Sequence, residues 1–591
     1  MKKIHVIVQK KDIVPALENL RDLGSVHVEH HEELPGYQLE ERREEVALLK
    51  QALVILQRFG RKVNVPQQEA GNDWTDIATD ILKLSAETEH SRESMAQRKI
   101  QIRQWEPWGD FDSEDIEALA ARGISLQLCE IPANRKTEVP AGVILEKISI
   151  FSGIQRCVAI SRDKITLPFE TVAPAALSLR EMNDLQLRER GKVQQAQDRI
   201  VSLRCYENAF KKTLIERENI LKFEEVEKGM RAHEELALLK GYCPVDACGA
   251  LTAKARQEQW GILMEDPSPD DMVPTLLKNP KGIELINPVF DFMSIIPGYR
   301  EADVSFCFLV FFSIFFGILI GDAGYGLVFL LGTFVRHQKL KHKASDQTAF
   351  YLIYVLSSCA IVWGFLTGTF FGVSLFGKLV KPMVPWLTNE SNVKSLCFII
   401  GAVHLTIAHV WRGLRKWPSI LILSDIGWIM IVWGAFFYVQ QFILDKPIPP
   451  FVNPAGYIAF GIIVLFSQSF QDILKDVTAF AISIVLTVLS VVSTLIDVIS
   501  YIRLFAVGTA GVTLAEAFNQ MALGRGFHNL LFGLGAIFIL LVGHSLNIIL
   551  GILAIMVHGL RLNILEFSGH LSLEWSGMKY SPFQRVIEGK V

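Results

Sequence analysis

The stretch SYIRLFAVGTAGVTLAEAFNQ, Ser500 to Gln520, carries one guanidinium, Arg503, inside an apolar run that extends from Phe480 to Leu523. An arginine at membrane depth costs at least a few kcal/mol, keeps its proton, and persists only where it has a partner or a task. With about twenty mostly apolar residues on either side, Arg503 sits too deep to snorkel to an interface. It is therefore the first candidate for function.

Ser500, Arg503, Ala506, Ala510, Thr513 and Ala517 recur at steps of three and four, so one helical face presents the arginine among small side chains. Small faces let another helix approach closely. The last apolar run ends in HGLRLNILEF, where His544, Asn547, Gly551, Ala554, His558 and Arg561 repeat at the same steps. Two such stripes could line a water path. Near a helix end, Arg561 could equally snorkel, and a membrane histidine is often a helix–helix contact.

SYIRLFAVGTAG followed by HGLRLNILEF resembles the membrane half of the a/I subunit of V-type and A-type rotary ATPases. The resemblance implies a stator subunit whose Arg503 faces the carboxylates of a rotating proteolipid (c/K) ring. It implies as further partners E/G-type peripheral-stalk subunits, a d/C-type central-stalk subunit and the lipid bilayer, with no cofactor and no nucleic acid. It also implies a prokaryotic cell membrane as the location. Gly511 stands where some relatives have a histidine, and Gly551 where many have Glu or Gln; Glu516, His544, Asn547 and His558 are the substitutes for ion-path residues. GYCPVDACGAL at 241–251 and DPSPDDMVPTLLKNP at 266–280 are also similar to family segments.

The totals agree with a soluble part fused to a membrane part: 591 residues, half of them hydrophobic and a fifth charged. A net charge of -3 argues against a nucleic-acid protein. Eight scattered cysteines read as ordinary thiols, since Cys243 with Cys248 lacks the second pair that a zinc site needs. MKKIHVIVQKKD has too short an apolar stretch for a secretory signal.

Ile4–Val8, an amphipathic segment Ile13–Leu23 and Ser25–Val28 open a small α/β unit. Val46, Leu49, Leu53 and Leu56 then form a heptad seam, and Val193, Ala196, Ile200, Leu203 and Phe210 form another. Between the seams, WEPWGDFD at 105–112 and the following short strands read as an inserted globular segment. The expected organisation is a cytoplasmic domain over 1–300, a transmembrane ion-translocating domain over 301–570 and a cytoplasmic C-terminal tail over 571–591. The first comprises a proximal α/β lobe (1–36 and 239–300), coiled-coil arms (37–104 and 169–238) that pack as an antiparallel hairpin, and a distal lobe (105–168).

Eight apolar runs follow, at about 304–320, 325–335, 350–375, 395–410, 420–442, 455–470, 478–520 and 530–564. GDAGYG, 321–326, makes the first two a tight hairpin. RHQKLKHK after the second and RGLRKW after the fourth are the basic loops, which places both termini in the cytoplasm. At 1.5 Å per residue, about forty residues is roughly 60 Å against a core of about 30 Å, so the last two runs must tilt, break or project. The expected fold class is thus an α-helical polytopic membrane protein of about eight transmembrane helices, the last two long and tilted, with an N-terminal α/β plus antiparallel coiled-coil cytoplasmic domain.

GVSLFGKL at 372–379 has the glycine and lysine positions of a phosphate-binding loop, but Leu379 replaces the magnesium-binding Ser or Thr. His404 and His409 lie in an apolar helix and read as packing or gating residues. The chain is expected to be a non-catalytic subunit without a nucleotide site of its own. A self-contained secondary transporter would show paired repeats with broken helices, and the membrane region has no such symmetry. A membrane-anchored tether would explain the arms but leave Arg503 without a role.

Overall fold

A computed structural model of the chain describes residues 1–29, 37–59, 68, 71, 73–132, 139–151, 153–162, 167, 170–341, 347–372, 383–466, 477–524 and 530–586. By residue contacts the chain divides into two compact units: Met1–His5, Ser25–His27 and Lys240–Pro582 form one, and Val6–Gly24, Val28–Leu239 and Phe583–Val591 the other.

The N-terminal elements are β1 (Lys2–Gln9), α1 (Ile13–Leu23) and β2 (His27–Val28), and β1 alternates buried and open positions as a half-covered strand does. Helices α2 (Tyr37–Arg58) and α3 (Trp74–Trp105) lead out, and α4 (Ser113–Ala121) follows. The distal lobe is the antiparallel sheet β4–β5–β3–β6, built from β3 (Ser125–Pro132), β4 (Ile144–Phe151), β5 (Ile154–Ser161) and β6 (Glu170–Val172). Trp105, Trp108, Leu128 and Met182 form its core. The way back runs through α5 (Leu179–Ser202) and α6 (Glu207–Gly229).

The antiparallel hairpin is visible in its ion pairs. Arg43 reaches Glu225 at 3.0 Å and Lys50 reaches Glu218 at 2.8 Å, so numbers rise on α2 as they fall on α6. Such exposed pairs contribute at most about 1 kcal/mol each and fix register more than stability. The seam supplies the stability: Val46, Leu49, Leu53 and Leu56 are all buried, together with Ile81, Ile200, Phe210 and Leu214. Burying each such side chain is worth about 1.5–3 kcal/mol.

The return arm begins ten residues later than the sequence boundary at 169. Strand β6 pairs Leu128 with Val172 and Glu130 with Glu170, and α5 starts at a capping box of Ser178 and Glu181. A three-residue strand held only by backbone bonds to a distant partner has no periodicity to read.

After β7 (Arg231–His233) and β8 (Leu236–Cys243) come α7 (Val245–Gln257), β9 (Gly261–Glu265), β10 (Pro274–Thr275) and α8 (Asn287–Met293). The N-terminal sheet runs in the order β2–β8–β1–β9, with β7 beside β8. The expected break at 300 falls inside one core, because Ile286 and Phe290 pack in the cluster that holds Phe308 and Phe312. Nor is the region after 570 a free tail up to Pro582: Leu571 and Leu573 join a buried cluster, and Met578–Lys579 pairs in parallel with β10.

Each of the eight apolar runs contains helix: α9 (Ser305–Ile320), α10 (Ala323–Leu340), α11 (Thr348–Thr367), α12 (Glu390–Arg415), α13 (Ile422–Leu444), α14 (Val452–Phe466), a broken run of α15 (Val477–Ser500) and α16 (Ile502–Leu523), and α17 (Leu530–Ala554), which continues through further helical turns to Leu571. Among the described residues five helices are long and apolar enough to cross a membrane; α9 with α10, bent by 119°, would make a sixth, while α14 is shorter. The last two are each 40 residues long, 484–523 and 532–571. The hairpin between α9 and α10 is closed by Asp322, the N-cap of α10, whose carboxylate accepts from Gly324 N and Tyr325 N at 2.7 and 3.2 Å. At Gly508 a Cβ would collide with the Ile318 carbonyl oxygen, so α9 and α16 cross closely only because that position is glycine. Of the glycine–lysine stretch at 372–379, all but Gly372 lies outside the described residues.

Candidate ion-translocation site

Arg503 lies in the first turn of α16, just past a one-residue break at Tyr501 that separates it from α15. Its Nη2 donates to Ser500 Oγ at 2.7 Å and to Glu566 Oε1 at 3.2 Å. Arg561 Nε approaches the same Oε1 at 3.6 Å. Glu566 is 5% exposed, whereas Arg561 is open to its surroundings. Arg503 Nη1 and Glu566 Oε2 are buried without hydrogen-bond partners. Two arginines thus share one carboxylate oxygen, and a donor and an acceptor remain unused.

Periodicity does not reveal Glu566. On an α-helix, Arg561 shares its face with positions 564 and 565; but Ile555–Gly559 and Leu562–Phe567 are π-helical, and the wider turn brings the fifth residue round to the arginine. Ser568 Oγ donates to Asn563 O, five residues back, at 2.9 Å within this widened segment. The available signal was Glu566 itself, a carboxylate among apolar residues at the end of a membrane run.

A polar cavity of about 440 Å³ opens beside the trio, lined among others by Asp497, Arg561, Glu566, His570, His409 and Arg412. A continuous hydrogen-bonded row crosses it. Arg412 donates through Nη2 to His409 Nδ1 at 3.1 Å, His409 Nε2 and His570 Nδ1 are 2.9 Å apart, and His570 Nε2 meets Asp497 Oδ2 at 3.1 Å. Because Arg412 can only donate, His409 Nδ1 accepts, which puts the neutral histidine's proton on Nε2. His570 then receives on Nδ1 and donates from Nε2 to Asp497. Asp425 anchors the far end, held by Arg412 Nε at 2.5 Å and Lys416 Nζ at 2.7 Å. None of Asp497, His570 and Asp425 was singled out by spacing, since they come from three separate runs.

His404 and His409, five residues apart, have different surroundings. His404 is fully buried, stacked on Phe311 and Phe567 at 3.9 and 4.4 Å, with Nδ1 bonded to Tyr501 Oη at 2.9 Å. It packs the helix break that presents Arg503. His409 belongs to the polar row.

The expected stripe on the last helix separates into parts. His558 stands three residues before Arg561 in the π-helical part of the last helix. Asn547 is buried and donates to Tyr325 Oη at 2.9 Å and Gly511 O at 2.8 Å, while His544 bonds Tyr325 Oη at 2.8 Å and Asn519 at 3.1 Å. The middle of the stripe is therefore a helix–helix contact and does not lie open to water. Gly511 meets Asn547 through its carbonyl oxygen, and a side chain at Gly551 would press on Ile320. Glu516 is exposed and bonded to Gln520 at 3.3 Å, away from the arginines' hydrogen bonds. A second cavity, about 300 Å³, lies against α16 and is lined by Thr367, Thr369, Thr388, Glu390, Thr509 and Thr513 among others.

Comparison with known proteins gives the family. The chain is 31% identical to the V-type ATP synthase subunit I of Borreliella burgdorferi, with 99% of each chain covered. It belongs to the V-type ATP synthase subunit I family. The V-type ATP synthase subunit I 1 of Treponema pallidum is 32% identical over 99% of each chain, and the A-type subunit I of Methanocaldococcus jannaschii is 27% identical over 54% of this chain and 50% of its own. No family model matches. The solved cytoplasmic N-terminal domain of subunit I, homolog of subunit a, of V-ATPase is matched over its whole length and 45% of this chain, at 13% identity and a TM-score of 0.21, too low to carry an argument. As a subunit I, the chain is a membrane subunit of a rotary V/A-type ATP synthase, and its partners lie within that complex.

Proposed function

We propose that this subunit I is the stator element that provides the ion paths and the arginine facing the proteolipid ring. The observation that carries this is Arg503: a half-buried guanidinium at a helix break, with a buried and unpartnered Nη1, bonded to the Glu566 that lines a polar cavity. A proton or sodium ion reaches a ring carboxylate by one aqueous path and leaves by another. Arg503 displaces it by offering the ionised carboxylate a positive partner, and the same charge blocks a direct leak between the paths.

The cavity at Asp497 ends at Arg412 on α12, whose C-terminal basic cluster supports a cytoplasmic opening. The threonine-lined cavity, with Glu390 at the opposite end of α12, supports the exterior path. On that orientation both termini are cytoplasmic, the hairpin binds E/G-type peripheral stalks, and the proximal lobe meets the d/C-type central-stalk subunit. Catalysis at ATP belongs to other subunits. Arg561, His558, His544, Asn547 and Glu516 remain proposed contributors, with Asn547 and His544 acting through the α16–α17 contact.

The test is Arg503→Ala in the assembled complex in vesicles. Assembly is expected to survive, because Glu566 keeps Arg561, while ion uptake falls to background. Arg503→Lys should also fail largely, since an ammonium in an apolar site can lose its proton and has no planar fork. Normal uptake by assembled Arg503→Ala complexes would reject the reading.

A further inference from the structure

We infer that Glu566 is a positioning residue, the internal counter-ion that sets the charge of the Arg503–Arg561 cluster so that a ring carboxylate is both captured and released. The inference rests on the ring-facing role proposed for Arg503. Glu566 is buried, and both guanidinium groups converge on its Oε1, at 3.2 Å from Arg503 and 3.6 Å from Arg561. Two positive charges and one negative leave the trio at +1. Asp497 lines the same cavity, hydrogen-bonded to His570 at 3.1 Å and not to either arginine; its charge acts on the trio from a distance and is the same in every variant below.

A charge of +1 suits a partner that must leave again. One arriving carboxylate brings the trio to neutrality, using the free Nη1 of Arg503, and its departure costs one exchange of partners in which Glu566 takes up the released hydrogen bond. Without Glu566 the same wall would carry two guanidinium charges and would hold the ring carboxylate too tightly. Without Arg561 the remaining pair would be neutral and would hold it too weakly. Arg561 is thus assigned the second charge of the balance, which its half-exposed position permits.

The balance can be tested by its arithmetic. Glu566→Gln raises the charge by one, Arg561→Gln lowers it by one, and the double variant returns it to +1. In assembled complexes, each single change is expected to lower ion uptake roughly tenfold, the scale of a coupled buried pair, and the double variant to recover most of that loss. Glu566→Gln should slow coupled ATP hydrolysis in parallel while ring and stator stay together, and Glu566→Asp should rescue it in part. A structural role predicts the reverse: damage that adds up in the double variant, with ring recovery falling alongside uptake. If Glu566→Gln fails to assemble, the double variant against Arg561→Gln decides, because only charge balance makes the double variant the more active. A double variant no better than the worse single variant, or native uptake by Glu566→Gln, overturns the inference. Arg503→Ala runs alongside: loss of uptake there with native Glu566→Gln removes this inference alone, whereas normal uptake there removes the ring-facing reading beneath it.

Discussion

Two buried carboxylates in the membrane half, Asp322 and Glu566, are neutralised in opposite ways. Asp322 is completely covered, and backbone groups saturate it: Gly324 N, Tyr325 N and Phe371 N donate to Oδ1, and Gly372 N donates to Oδ2 at 2.8 Å. Phe371 and Gly372 have φ of 52° and 61°, so two successive left-handed residues aim their N–H groups at one anion. A non-glycine residue in that region is strained, and the bonds to Asp322 hold it there. Glu566 has side-chain partners, charged and shared, and keeps Oε2 unused. Fixed amides surround a carboxylate that ties α10 to the segment after α11. Two side-chain guanidinium groups share one oxygen of the other, whose second oxygen is left for the exchange of partners proposed above. The contrast separates a saturated structural contact from the cluster proposed above as the working part.

Removing the saturated carboxylate should do the greatest harm to folding. Asp322→Ala leaves four N–H groups, three of them buried, without their acceptor, each at about 1–3 kcal/mol, a sum comparable to the whole stability of many domains. The expected outcome is loss of the subunit from the membrane fraction, read by blotting and protease sensitivity. Asp322→Asn keeps one oxygen and should be recovered at an intermediate level. Full recovery of Asp322→Ala would mean that the amides find water, and that the contrast with Glu566 is one of degree only.

Accessibility sharpens the same contrast at smaller cost. In a background with Cys248 and Cys359 replaced by Ser, Ser493→Cys and Leu565→Cys on the cavity wall should react with aqueous thiol reagents at least about tenfold faster than Asn547→Cys in the α16–α17 contact. Equal rates would place water along the middle of the last helix after all.

The smallest effect belongs to a third kind of carboxylate, Asp271, bonded to Lys3 Nζ at 2.6 Å near the surface. The hydrogen bond to Lys3 holds its carboxyl below the usual range. A lowered folded pKa contributes stability that is present above the unfolded value near 4 and is lost as pH falls through the folded value. Asp271→Asn should therefore cost under about 1 kcal/mol at pH 7 and still less at pH 3, measured by thermal unfolding. A larger loss at pH 3 than at pH 7 would contradict the sign.

Wherever one side chain's spacing decided the outcome, the structure was legible in the sequence. The seam Val46–Leu49–Leu53–Leu56, the eight apolar helices and the isolation of Arg503 follow from periods of 3.5 and 3.6 and from the cost of a charge in hydrocarbon. Glu566 escaped because two π segments shift the helical face by one residue, and Asn547 misled because a polar stripe signals water and helix contact equally. The inserted strand Glu170–Val172 and the row from Arg412 to Asp497 join elements far apart in the chain, whose pairing carries no local pattern.

By itself, then, the sequence determined that this chain has a coiled-coil arm and a polytopic membrane half with one arginine isolated in an apolar run, because heptad burial and membrane desolvation act on residues a few positions apart. Only the tertiary structure decided which carboxylate answers that arginine and which polar residues meet in a cavity. Those choices depend on how separate helices cross and on a local widening of one of them, both set by packing against partners more than sixty residues away, as Arg503 is from Glu566.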